Sequence, residues 1–413
     1  MRTQENKEEE VQKKRVDLFS TFPLLDFFSY RLLLCYNHIT MGLFGGQKKN
    51  TYLGVDIGGS SIKIVELANE KGRARLMTYG YLELPLQDGG DGLLDQPKKA
   101  GDLLAQVCKE ADVKATQAMT GLQTANVFST ILALPKSKDP KQLKPLIDVE
   151  LAKLAPLPVS EMITYSTFID GEKDKKEVEK GKSQPAAKEP AVKTDPKDKF
   201  TRVLVTGAAK TLVQKYIDVF KTAKLNLQAI DTESFALIRA LIGKDKGAIM
   251  ILDLGSRRTN LFVVEKGIPF VARSINLGGD SVTKRIVEQM QMNEEDAERA
   301  KRDLGIAGNG GTGGLPKILE PIMQPIVNEI RFAFQLYANM ELTEIKRVEK
   351  IILTGGSSHL PHIPEYLSET LNMNVYRGDP WARVVYPKDL ATVLEEIGPR
   401  MAVAVGLAMR EMD

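Results

Sequence analysis

The sequence predicts a two-lobed α/β fold, and three stretches carry that expectation. Residues 51–67 read TYLGVDIGGSSIKIVEL: an apolar strand ending at Asp56 and Ile57, a Gly58-Gly59-Ser60-Ser61 turn, and a returning apolar strand. Residues 249–264, IMILDLGSRRTNLFVV, repeat the plan with Asp253 and a Gly255-Ser256 turn. Residues 350–358, KIILTGGSS, are a buried-type strand running into Gly355-Gly356. One strand–Asp–Gly hairpin alone matches many plain β-turns. Two of them in separate halves of the chain, followed by a strand–Gly-Gly turn, describe two similar half-domains that face one ligand.

The chemistry of these stretches says what that ligand is. Glycine accepts the positive φ of a tight turn and lets another backbone approach. The N–H groups of such a turn form a concave nest for an anion such as phosphate. Asp56 and Asp253 stand where their strands run out, in reach of a magnesium ion through water. Lys63, seven residues after Asp56, can neutralise phosphate charge. A nucleotide held between the lobes satisfies all of these.

These motifs resemble those of the actin-like ATPases, the superfamily that includes actin, Hsp70, sugar kinases and the division protein FtsA. Within it the chain is most similar to the PilM group of type IV pilus assembly proteins, from about Met41 onward. The resemblance implies an RNase H-like fold in each lobe and an inserted domain, 1C (SHS2-like), of the kind found in FtsA. It implies ATP and Mg2+ as cofactors, with phosphate turns at Gly58–Ser61 and at Gly255, Ser256 and Thr259. It implies a nucleoside frame made by Gly278, Gly279, Glu298, Lys301, Arg302, Gly355 and Gly356. Asp56 and Asp253 would hold magnesium through water. The partner implied is PilN, whose cytoplasmic N-terminal tail would lie as an extended peptide between subdomains 1A and 1C. Other inner-membrane platform proteins and self-association are implied as well.

Taken in order, residues 73–84 complete a strand meander after the first hairpin, and residues 101–111 have helical apolar spacing. Short strands are expected at 116–121 and 127–134, a helix at 141–154, and paired strands at 163–169 and 202–206. The strand–helix–strand–strand order over 125–208 matches 1C, though the same elements would also serve as an extension of the main sheet. Residues 171–199 have too little apolar bulk to offset the entropy of ordering and are expected to be disordered. A helix at 212–223 and a strand at 227–230 lead to Thr232-Glu233 and a helix over 234–241, the first connecting helix of the resemblance. Its acid, Glu233, is the catalytic candidate, with Asp231 as alternative. Capping by the helix dipole explains an acid at that position equally well.

A strand at Ile268–Ile275 and a helix at 281–290 precede residues 294–304. There Glu298, Lys301 and Arg302 share one helix face. They read either as a surface charge cluster or as the adenosine grip of Hsp70-like proteins. The run 305–314, GIAGNGGTGG, lacks the lysine of a P-loop and follows no strand, so it reads as a flexible loop. A long helical segment at 315–340 carries Pro321 and Pro325. A helix at Ile363–Leu371, an edge strand at 374–376 and a small-residue helix at 402–409 follow; the last matches the second connecting helix. The domain plan is therefore 51–124 and 209–243 for 1A, 125–208 for 1C, and 244–413 for lobe two, with a helical 2B at about 280–345.

Composition removes other classes. The 413 residues are 43% hydrophobic and 27% charged, ordinary for a globular protein. The net charge of +3 is dispersed and gives no nucleic-acid footprint. Cys35 and Cys108 offer no disulfide framework, in keeping with a reducing cytoplasm. His359 and His362 lack the neighbouring acids or thiols of a metal site. No stretch reaches the ~20 apolar residues of a membrane span. The nearest, 18–39, is broken by Pro23, Asp26, Arg31, Asn37 and His38. It reads either as an amphipathic anchor or as part of an untranslated leader before a start at Met41. The expected location is the cytoplasm, peripheral to the inner membrane through a partner. The competing functions are a sugar kinase-type phosphotransferase, for which no second carboxylate cluster stands out, and an FtsA-like protein, whose terminal membrane helix is not expected here. A chaperone would need a further substrate domain.

Overall fold

The structure is a computed structural model that describes residues 31–33, 50–84, 91–137, 142–169, 200–307 and 316–412. The run 171–199, residues 308–314 and nearly all of the N-terminal 40 residues lie outside the described residues, while 305–307, expected in a loop, continue the helix before them.

Lobe one begins with β1 (Thr51–Ile57), β2 (Ser61–Glu70) and β3 (Arg73–Glu83), an antiparallel meander. The inner residues of β1 are buried without alternation, as befits a strand covered on both faces. Helix α1 (Pro97–Glu110) buries Leu103, Leu104 and Val107 and leads to β4 (Gln117–Leu122), which pairs parallel with β1. The chain then leaves the sheet for a small domain. Its strands β5 (Phe128–Pro135), β6 (Met162–Phe168) and β7 (Phe200–Ala209) form a three-stranded antiparallel sheet in the order β5-β7-β6. Helix α2 (Leu143–Leu154) covers one face through Leu143, Ile147 and Leu151 against Leu132, Leu134, Val203 and Val205. Helix α3 (Lys210–Thr222) packs beside α1, and β8 (Asn226–Thr232) pairs parallel with β4.

Lobe two repeats this plan. Strands β9 (Ala248–Leu254), β10 (Thr259–Glu265) and β11 (Ile268–Ile275) form a second meander, and β12 (Lys350–Thr354) and β13 (Asn374–Arg377) add in parallel. Within the two sheets the runs β3-β2-β1-β4-β8 and β11-β10-β9-β12-β13 have the same topology; in the first, the short strand Arg31–Leu33 adds beside β3. Between β11 and β12 lie α5 (Gly279–Met290), α6 (Glu294–Ala307) and α7 (Glu320–Asn339); α8 (Ile363–Leu371) precedes β13. Pro321 falls in the first turn of α7, where its missing N–H has no partner to lose, and Pro325 lies inside the helix.

Two helices join the lobes. Helix α4 (Glu233–Leu237) widens into a π-turn at Ile238–Ile242 and stops at Gly243, whose φ is 62°. Helix α9 runs Ala391–Ala408, eleven residues earlier than the small-residue pattern suggested. Pro399 lies inside it, and its carbonyl accepts the Gly355 N–H and the Thr354 hydroxyl, both at 2.9 Å. A shared core of Met119, Ala236, Leu237, Ile251, Phe262, Ala402 and Leu407 draws on both sheets and both helices. The small residues are needed there: a Cβ on Gly406 would lie 1.8 Å from the Ala236 carbonyl oxygen, and one on Gly54 would lie 2.0 Å from that of Ala404. Between β13 and α9 the chain returns to lobe one. Trp381 is buried there, and the short strand β14 (Val384–Val385) pairs parallel with β3. Sequence patterning gave no sign of this return.

Candidate functional site

The two hairpins meet where the lobes join. Their turns are built alike: the Gly58 N–H donates to Ser61 O, and the Gly255 N–H to Arg258 O, each at 2.9 Å. Register extends the likeness. Asp56 lies opposite Lys63, and Asp253 lies opposite Asn260, at the same position of each hairpin. Lys63 Nζ is 2.8 Å from Asp56 Oδ2, so in this state the lysine neutralises its own hairpin's acid. Asn260 Nδ2 donates to Asp253 Oδ2 at 3.2 Å. The turns also touch each other: Ser256 Oγ lies 2.7 Å from Ser60 Oγ, and the Arg257 side chain packs on Gly59.

Glu233 stands between them. Its Oε2 accepts from the Thr124 N–H at 2.8 Å, from the Thr124 hydroxyl at 2.7 Å and from Asn260 Nδ2 at 3.3 Å. Burial, then the nearby charges of Asp56 and Asp253, push its carboxyl up to about 7 against the Thr124 bonds. Asp253 is pushed up to about 6, again chiefly by burial and by Asp56, with Lys63 and Asn260 opposing. Asp56 thus lies near enough to raise both Glu233 and Asp253, and perturbed acids of this kind cluster at functional sites. Asn260 Oδ1 is buried with no partner. The alternative acid, Asp231, is engaged elsewhere, by Arg239 and by the Thr232 N–H.

These shifts have a stability consequence. Both folded-state values lie above the ordinary carboxylate values, so the protonated forms favour folding. That stability is fully present below pH 4, falls through pH 6 and 7, and is absent above. Glu233→Gln is therefore expected to stabilise the nucleotide-free protein at pH 8, by up to about 3 kcal/mol, and much less at pH 4. Urea melts at the two pH values check this; an equal effect at both would contradict it.

The glycines of lobe two pack into one nest. The Gly279 and Asp280 N–H groups, opening α5, donate to Gly255 O at 3.0 Å and Ser256 O at 2.7 Å. A Cβ on Gly278 would meet Ser256 O at 2.5 Å, and one on Gly355, whose φ is 83°, would meet Asp253 Oδ1 at 2.5 Å. Ser357 Oγ donates to Gly255 O at 2.9 Å. Beside this nest, Lys301 Nζ reaches Glu298 Oε2 at 2.5 Å, Thr283 Oγ1 at 2.9 Å and Gly279 O at 3.4 Å. Burial works to raise the Glu298 carboxyl, and Lys301, Thr283 and Arg302 outweigh it, leaving it below its ordinary value. Arg302 reaches across to lobe one, 3.1 Å from Glu83 Oε2, and Arg400 Nη1 is 3.5 Å from Glu83 Oε1. Gly356 faces Arg400.

The residues singled out from sequence thus fall into two neighbouring groups: Asp56, Gly58–Ser61, Lys63, Glu233, Asp253, Ser256 and Thr259 at the hairpins, and Gly278, Gly279, Glu298, Lys301, Arg302, Gly355 and Gly356 beside them. Sequence reasoning missed Thr124, Asn260, Glu83 and Arg400. Asn260 had a signal, since it follows Asp253 by the interval that separates Lys63 from Asp56. The others are joined to the site only by tertiary contacts. Among the described residues no three His, Cys, Asp or Glu side chains form a cage for a metal ion, and no helix is long and apolar enough to cross a membrane.

Comparison with known proteins places the chain in a family. The profile described as "Type IV pilus assembly protein PilM" matches residues 54–180 and 190–412. The cell division protein FtsA of Bacillus subtilis is 24% identical over 196 residues, 43% of this chain and 44% of that protein. FtsA of Borreliella burgdorferi is 24% identical over 234 residues, 50% of this chain and 53% of that protein. The chain thus spans about half the length of these curated relatives. A solved structure of a PilM–PilN type IV pilus biogenesis complex superposes with a TM-score of 0.71 at 22% identity, covering 88% of this chain and 98% of the other. The shared fold is that of the actin-like ATPases. With most of its length matched by one profile, the chain belongs to the PilM family of type IV pilus assembly proteins.

Proposed function

We propose that the protein is an ATP-binding adaptor of type IV pilus assembly, held at the inner membrane from the cytoplasmic side by the N-terminal tail of PilN. The observation that carries this is the pair of hairpins with matched turns and acids in equal register, facing one another across the lobe junction. The donor set suits a magnesium nucleotide. The turns formed by Gly58–Ser61 and by Gly255, Ser256 and Thr259 would bind the β- and γ-phosphates through backbone N–H groups other than those of Gly58 and Gly255, which close the turns. Lys63 would exchange Asp56 for phosphate oxygen, and Asp56 and Asp253 would orient water on the metal. When bound, magnesium supplies charge neutralisation for the phosphates. Mg2+ keeps most of its waters and uses few protein ligands, so two carboxylates suffice. Gly278, Gly279, Glu298, Lys301, Arg302, Gly355 and Gly356 would frame the nucleoside. Glu233, poised near neutrality, would take a proton from attacking water; positioning and charge neutralisation would carry most of the reaction, and hydrolysis would be slow.

The small domain would be 1C, of the SHS2 type, with 1A at 51–124 and 209–243 and 2B at about 280–345 in lobe two. Large apolar side chains left exposed gather on it: Leu146, Val149, Ile163, Tyr165 and Phe200. Strand β6 is one of the two edges of its sheet and offers unpaired backbone groups. An extended peptide gains main-chain bonds from such an edge and selectivity from apolar pockets. This supports a PilN peptide between 1A and 1C, near residues 116–134 and 148–169, with other platform proteins and self-association as further contacts.

Titrating the protein with a synthetic N-terminal PilN peptide from the same organism, with and without Mg-ATP, tests the reading. Binding is expected, with an affinity that Mg-ATP changes. No binding in either state defeats the adaptor; equal binding in both removes the nucleotide switch. A metabolic turnover of a sugar above about 1 s⁻¹ would favour the phosphotransferase alternative.

A further inference from the structure

The joint between lobe one and the small domain is wired into the nucleotide site. It consists of Gln123 and a 3-10 turn, Thr124–Asn126, between β4 and β5. Thr124 holds Glu233 through both its N–H and its hydroxyl. Gln123 Nε2 donates to Ile57 O, at the end of β1, at 3.1 Å, and Gln123 Oε1 accepts from Arg258 Nη1, in the second hairpin, at 3.5 Å. Asn260, also in lobe two, completes the set at Glu233 Oε2. Two residues of the joint therefore touch both hairpins and the acid between them.

The small domain is also tied to lobe two at a distance from the joint. Arg202 on β7 donates through Nη1 to Leu342 O at 2.6 Å, and its Nη2 lies 3.4 Å from Glu344 Oε1. Glu344 is paired in turn with Lys266. Ile131 on β5 and Ile169 after β6 pack on the lobe-two core, and the joint itself rests on β11. The covalent connections run the other way. Both ends of the domain, at 123–127 and at the Ala209–Lys210 step from β7 into α3, join lobe one.

We infer that the small domain is carried by lobe two: its two chain connections to lobe one act as a hinge, and its Arg202, Ile131 and Ile169 contacts make its position follow any change in lobe angle. The physical reason is relative stiffness. A hinge of single-chain connections needs only small φ/ψ changes, whereas sliding on lobe two strips apolar contact and a charge-assisted bond from a largely buried arginine. The inference rests on the reading of the lobe junction as a nucleotide site. It adds that occupancy there is reported as a movement of the small domain relative to lobe one, along the seam where the peptide is proposed to bind.

Distance measurements between spin labels on the full chain test this. Cys35→Ser and Cys108→Ser remove the native thiols, the second of them half-buried on α1. Labels go on the exposed positions Lys153 (small domain), Lys71 (lobe one) and Glu369 (lobe two) in pairs, as cysteine substitutions. When Mg-AMPPNP changes the 71–369 distance, the expected result is that 153–71 changes with it and 153–369 does not. The opposite assignment overturns the inference. If 71–369 does not respond, the nucleotide switch fails, and the nucleotide-free samples decide alone. The 153–369 distribution is then expected to be narrower than 153–71, with Arg202→Ala removing the difference. Equal widths in the unmodified protein, or no effect of Arg202→Ala, overturn the inference.

Discussion

Asp56→Ala is expected to abolish Mg-ATP binding, raising Kd by at least about 100-fold, which is roughly 2.7 kcal/mol. Three effects add. The variant loses a carboxylate that would orient water on magnesium. It frees Lys63, whose ammonium now lies 2.8 Å from that carboxylate and is thereby pointed at the turn. It also removes charge that helps to raise Glu233 and Asp253. The last effect needs no nucleotide and gives an internal control. With Asp56 gone, both remaining acids should titrate lower, and the loss of stability between pH 4 and pH 7 should move to lower pH. Calorimetric titration with Mg-ATP reads the first outcome and pH-dependent melting the second. Undiminished ATP affinity with a shifted melting profile would keep the electrostatics described above and refute the metal assignment.

Gly406→Val is expected to be the most damaging single change to the fold. Its Cβ would start 1.8 Å from the Ala236 carbonyl oxygen, where α9 crosses α4, and both helices are anchored in both lobes. No side-chain rotation relieves a clash with backbone, so the helices must separate and open the shared core. A loss of about 4 kcal/mol or more follows, at the extreme of single substitutions, and the thermal midpoint should fall by about 10 °C. Gly121→Ala is the matched control. Its Cβ would meet Leu407 methyl carbons at 3.6 Å and the Glu233 backbone nitrogen at 3.8 Å, ordinary contacts, and the midpoint should move little. Equal behaviour of the two variants would mean that the crossing tolerates a wider spacing than this packing indicates.

The sequence showed what is local and left out what is distant. Both hairpins were legible because each is one contiguous stretch in which an apolar run, an acid and a glycine turn succeed one another. The Gly-Gly turn after β12 and the charged face of α6 were legible for the same reason. The partner of Glu233 was not: Thr124 lies 109 residues away in the chain, and nothing in the LQTANV stretch marks it as a carboxylate clamp. The first half of α9 was hidden by Pro399, which reads as a helix breaker. In the fold its carbonyl serves the Gly355 turn and Thr354. Lys63 stands on Asp56, its opposite number in the hairpin register, a pairing that the seven-residue interval alone does not show.

The return of the chain to lobe one through Trp381, β14 and α9 bears on how the protein is made. Val65 and Leu67 of the first hairpin share a core with Trp381, Leu394, Met401 and Val405. These contacts join residues more than three hundred positions apart, so they are formed at a high cost in loop closure and late in folding. On the ribosome, β1–β3 emerge early and must wait with one apolar sheet face uncovered until almost the whole chain has been synthesised. The lobe-two core is drawn mainly from residues 248–375, which are synthesised before Trp381 and α9. The N-terminal lobe is therefore the last to be completed, and during translation it is the segment most in need of a holding chaperone.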